Sequence, residues 1–88
     1  NNMKVVDFVN IMVQPDLSSE EKVQVNIAKE LGNATYKDAK TLDMDILARL
    51  IYDSTGPVTI SDEDAEYIKN TFIVNLPYFV QKEILPSL

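Results

Sequence analysis

Apolar positions recur along this chain at intervals of three and four residues, the spacing of a helix face, and prolines and glycines interrupt the recurrence. In Met3–Val13, the side chains Val5, Phe8, Val9 and Met12 share one helical face, with Asp7 and Asn10 beside or opposite it. Read as a strand, Val5, Val9, Ile11 and Val13 alternate properly, but Asp7 falls on the buried side. The β-branched content favours the strand. The periodicity, and the want of a second stretch of similar quality to pair with, favour the helix. Pro15 ends the segment, because it lacks an amide donor and restricts Gln14.

Ser18, with Glu21 three residues on, has the form of a capping box and predicts a helix over 19–31 with Val23, Ile27 and Leu31 as its inner face. Gly32-Asn33 reads as its stop, since both residues tolerate the left-handed conformation. The stretch 34–42 is open between a helical turn and an ordered loop. Thr41 or Asp43 can cap the next helix, 43–54, with Asp43 and Asp45 at the positive end of its dipole. Met44, Leu47, Leu50 and Ile51 recur at helical spacing and Ile46 widens the face. This is the most apolar helix, so it is expected at the centre of the fold.

Gly56-Pro57 punctuates, and Val58-Thr59-Ile60 follows as an extended stub. Ser61, with Asp64 at the third position, then opens a helix over 62–75, and Ile60 can staple to Ala65. Ala65, Ile68 and Phe72 form its inner stripe, with Asp62, Glu63, Glu66 and Lys69 facing out. Pro77 suits the first turn of a last helix, 77–85, which Pro86 stops. The expected architecture is a single helical domain over 1–88, an all-α bundle of four to five short helices: 3–13, 19–31, 43–54, 62–75 and 77–85. The alternative is an α+β domain in which 5–13 pairs with 58–60 as a small sheet.

Composition narrows the chemistry. With 45% apolar and 25% charged residues the chain has the make-up of a globular domain. The absence of cysteine excludes disulfides, thiolate chemistry and sulfur-ligated metals, and the absence of histidine removes the commonest general base and metal ligand. Five lysines face seven acids in residues 1–44, and three basic groups face seven acids in residues 45–88, for a net charge of −6. Such a surface repels phosphate backbones and anionic lipid, so neither nucleic acid nor membrane is an expected partner. No apolar run approaches a membrane span, and no secretory signal pattern is visible, which makes the cytoplasm the default location. If Met3 is the natural start, Asn1 and Asn2 are extraneous.

The segment Asp53–Asp64 has the outline of a calcium loop between two helices. Its details do not fit: Val58 stands where the sharp-turn glycine belongs, Pro57 replaces a ligand, and Asp64 replaces the bidentate Glu. Asp62, Glu63, Asp64 and Glu66 are read as a solvated helix start, as are Asp43 and Asp45, and not as a metal site or carboxylate dyad. Nothing marks a nucleophile: there is no Gly-x-Ser-x-Gly and no phosphate-cradling loop. The expectation is therefore a protein without catalytic residues, cofactor, metal or small-molecule ligand.

What remains is Phe72–Leu85, where Phe72, Ile73, Leu76, Tyr78, Phe79, Val80, Ile84 and Leu85 crowd large apolar groups into a short stretch. They form either an interface, for a second copy or a partner helix, or the piece that closes the core. The functional expectation is a non-catalytic protein acting through protein–protein contacts, as a regulatory, adaptor or self-associating module. Its size and acidity suit the accessory proteins that phages and mobile elements encode. An acidic inhibitor mimicking nucleic acid is the alternative, ahead of a metal-binding domain or an enzyme.

Overall fold

The computed structural model describes residues 2–88; the reading of Asn1 as extraneous falls outside them. The fold is α+β, and the pure helical bundle is corrected by two small antiparallel ribbons. Met3–Val13 is not a helix. It forms β1 (Met3–Asp7) and β2 (Ile11–Val13), separated by a corner. Asp7, the residue that spoils a continuous strand, makes the corner: its carboxylate accepts the amides of Val9 (2.9 Å) and Asn10 (3.0 Å) and the Asn10 side chain (3.1 Å). These three bonds outweigh the opposing effect of partial burial, the largest single influence, and hold the Asp7 carboxyl below its usual range. Phe8, at the corner, is fully buried.

The partners that a helical reading of 3–13 overlooks lie far along the chain. β1 pairs with β4 (Pro57–Ser61), with Val5 opposite Thr59, which is the pairing the α+β alternative expects for this part. The amide of Asp62 extends the ladder by donating to the Asn2 carbonyl at 2.9 Å. β2 pairs instead with β3 (Val23–Val25). The helix expected over 19–31 therefore does not form as such. Asp16 preempts the capping box: its carboxylate accepts from the Ser18 amide, the Ser18 hydroxyl and the Ser19 hydroxyl, closing a local turn. These hydrogen bonds also place its pKa below the ordinary value. Beyond the turn, β-branched Val23 and Val25 have β2 to pair with, and the extended form wins.

Helix α1 starts later, at Ala28–Asp38, with the Asn26 side chain accepting from the Ala28 amide at 2.9 Å. Gly32 and Asn33 lie inside it and stop nothing. The glycine is needed for another reason. A Cβ at Gly32 would stand 2.6 Å from the Tyr52 Cβ and 2.8 Å from its Cα and amide nitrogen, so α1 can approach the next helix closely only because that Cβ is missing. That helix, α2 (Leu42–Tyr52), is capped by the Thr41 hydroxyl, which accepts from the Met44 amide at 3.2 Å. Helix α3 (Asp62–Thr71) follows β4 directly and is capped by Ser61, which accepts from the Asp64 amide at 3.0 Å. Ile60 and Ala65 both enter the core, as a staple requires. A 3-10 turn (Ile73–Asn75), the short helix α4 (Tyr78–Ile84) and a final 3-10 turn (Leu85–Ser87) close the fold.

One core joins all of these pieces. Val6, Phe8, Val13, Ile51, Ile68 and Ile73 are its fully buried large side chains, drawn from both ribbons, α2, α3 and the turn after it. Among the described residues Thr35 is the buried polar one, and its hydroxyl donates to the Leu31 carbonyl at 2.8 Å. Tyr67 of α3 packs edge-on against Phe72, and its hydroxyl donates to the Asp38 carboxylate at the end of α1. Burial, followed by this bond to a carboxylate, pushes the Tyr67 phenol up to about 12. Lys22 pairs with Glu83 at 3.2 Å and ties the β2–β3 loop to α4.

Candidate functional site

The apolar C-terminal stretch divides on folding. Ile73, Val80 and Ile84 are buried core residues, which corrects their reading as contact residues, and Phe72, Leu76 and Leu85 pack against that core half-buried. Only Tyr78 (70% exposed) and Phe79 (41%) of the eight stay open to solvent. The segment closes the domain because α4 packs on β2 with Val80 and Ile84 turned into the core.

Helix α2 has the opposite arrangement, and its expected central position is corrected. Leu47, Ala48 and Ile51 line one buried face. Leu42, Ile46 and Leu50, spaced by four, share the far side at 74%, 56% and 43% exposure. An ordinary surface helix carries polar residues there. This one is apolar on both sides, with one side packed on its own domain and the other bare.

Polar groups border the bare face. Asp45 and Arg49 flank it, joined by a 2.6 Å hydrogen bond from Nε, and the Arg49 guanidinium lies 5.6 Å from the Tyr36 ring centre. Asp45 also keeps that guanidinium protonated beyond its usual range. Two shallow hollows sit at the ends. One, at the N-terminal end, brings Lys37, Lys40, Thr41 and Asp45 beside Leu42. The other, at the C-terminal end, brings Asp53, Gly56, Pro57 and Val58 beside Ile46 and Leu50.

A third cleft, about 300 Å³, runs between α1 and α2 over Gly32, with Tyr36, Arg49 and Tyr52 on its walls. Tyr36 and Tyr52 are exposed, whereas Tyr67 packs on the core. The Lys29 ammonium sits 3.9 Å from the Tyr52 ring centre and donates to the Tyr52 carbonyl at 2.9 Å. The cations around this cleft are thus held by neighbours. Among its lining residues there is no nucleophile paired with a base.

The segment Asp53–Asp64 is not a loop wrapped around a cation, because β4 and the first turn of α3 take up residues 57–64. Asp62, Glu63 and Asp64 form the first turn of α3, where the helix dipole favours them. Among the described residues no group of three or more acids gathers as a metal site would need, and no helix is long and apolar enough to cross a membrane.

Sequence reasoning missed Leu42, Ile46 and Leu50 as a surface. The signal was present: a helix carrying two separate apolar stripes is either enclosed by its own fold or offered to something else. Comparison with family models, with curated proteins and with solved structures returned no match.

Proposed function

We propose that this protein is a non-catalytic interaction module whose contact surface is the outer face of α2, with the C-terminal segment serving the fold. The observation that carries the reading is the exposed triad Leu42, Ile46 and Leu50 on a helix whose opposite side is buried. Stripes of i, i+4, i+8 apolar anchors with polar borders are what helix-mediated recognition uses. Scattered exposed apolar residues need no explanation, but a contiguous row on one helix does. The short helices and ribbons act as the scaffold, with Gly32 seating α2 on α1 so that the row faces outward.

The reading is tested by recovering complexes formed by the tagged wild-type chain and by Ile46→Asp and Tyr78→Ala in the native host. A complex lost with Ile46→Asp and kept with Tyr78→Ala is the expected result. Complexes indifferent to Ile46→Asp refute it.

A further inference from the structure

Resting on that reading of the α2 face, we infer that its occupant is a second copy of this chain, docked with the two α2 helices antiparallel across a twofold axis at the level of Ile46. The argument is self-complementarity, in shape and in charge. An antiparallel twofold arrangement sets the N-terminal half of one helix against the C-terminal half of the other and Ile46 against its own counterpart. Leu42, the most exposed member of the row, is a knob at one end. At the other end the hollow beside Leu50 is walled by Gly56, Pro57 and Val58, and Gly56 has open space where a side chain would stand. The same operation therefore sets the Leu42 knob of each copy against the hollow of the other, where Leu50, Pro57 and Val58 stand beside Asp53, Ser54 and Thr55.

The charges match in the same register. Lys40 lies beside Leu42 just before the N-terminus of α2, and Asp53 is its C-cap. At the ends of α2 each opposes the dipole of that helix, which favours an anion at the start and a cation at the end; Lys40 also follows the C-terminal end of α1, and Asp53 lies near Arg49 of its own chain. Against an antiparallel copy both are reversed: Lys40 meets the partner helix's C-terminal end and Asp53, and Asp53 meets its N-terminal end and Lys40. Between them Arg49 of one copy comes to the level of Asp43 of the other.

Sedimentation equilibrium from micromolar to millimolar concentration tests this, with circular dichroism showing that each variant is folded. The wild-type chain is expected to form dimers, and Ile46→Asp to raise the dissociation constant at least about tenfold. Lys40→Glu and Asp53→Lys should each weaken self-association, and an equimolar mixture of the two should restore it, because each mixed pair regains both contacts. A mixture no stronger than either variant overturns the antiparallel register. A wild-type chain that stays monomeric throughout overturns self-docking while leaving the α2 face available to another protein. A dimer untouched by Ile46→Asp overturns both.

Discussion

Replacing Gly32 by alanine is expected to destabilise the protein, although alanine is the better helix former. Inside a helix the substitution alone contributes about 1 kcal/mol of stability. Against this stands the contact with Tyr52, at 2.6 Å to its Cβ and 2.8 Å to its Cα and amide nitrogen. Carbon atoms in ordinary contact lie about 3.5–4.0 Å apart, so α1 and α2 must separate by about 1 Å. The opposing atoms include main chain, which cannot rotate away. Overpacking of this kind costs up to about 3 kcal/mol, leaving a net loss of about 2 kcal/mol. For a domain of this size that lowers Tm by about 8–16 °C. Urea and thermal unfolding followed by far-ultraviolet circular dichroism read the change directly. Gly56→Ala is the control: no atom lies within 4 Å of its new Cβ, and stability should hold within about 0.5 kcal/mol. Adding Tyr52→Ala to Gly32→Ala should not rescue it, since the Cβ and main chain of residue 52 remain. A Gly32→Ala protein as stable as wild type, or one rescued by Tyr52→Ala, refutes the reasoning.

Ile68→Ala empties a fully buried site and is expected to cost about 2–5 kcal/mol in chemical unfolding, whereas Leu42→Ala, on the bare face, should stay within about 0.5 kcal/mol measured on the monomer at low concentration. Absorbance titration of tyrosinate should show one phenol ionising near 12, lost in Tyr67→Phe. Because that folded-state pKa is raised, the associated stability is present below the ordinary tyrosine range near 10 and disappears as pH climbs through about 12. Asp7 behaves oppositely: its lowered pKa gives stability that is present above the usual aspartate value and is lost as pH falls through the folded-state one. Carbon-detected NMR titration should place the Asp7 midpoint below that of free aspartate, and the removal of its Asn10 partner by Asn10→Ala should raise it.

What was legible in the sequence was local chemistry. Thr41 and Ser61 cap helices as their side chains and positions imply, because a cap needs only a hydroxyl and the amide three residues on. Asp53–Ile60 separates two helices as the Gly-Pro punctuation indicates. Errors arose where a nearby competitor or a distant partner decided the outcome. Asp16 took the Ser18 amide that Glu21 would have held in a capping box, and drew the Ser18 hydroxyl to itself. β1 became a strand because β4, some fifty residues later, completes it, and that pairing leaves no mark in Met3–Asp7 itself. Gly32 suggests a helix stop by its conformational freedom, yet its backbone has no positive φ, and its role is the absent Cβ facing another helix. The candidate site was visible only in part. Leu50 and Ile46 were counted into the inner face of α2, because helical spacing alone does not say which of two apolar stripes meets the core.

The central claim, that the outer face of α2 is the contact surface and the C-terminal segment is not, is tested most directly by photo-cross-linking in intact cells of the native host. A benzophenone amino acid is placed at position 46 in one chain and at position 79 in another. We predict a discrete adduct from position 46, at twice the chain mass if the occupant is a second copy, and none from position 79. An adduct from position 79 alone, or none from position 46, contradicts it.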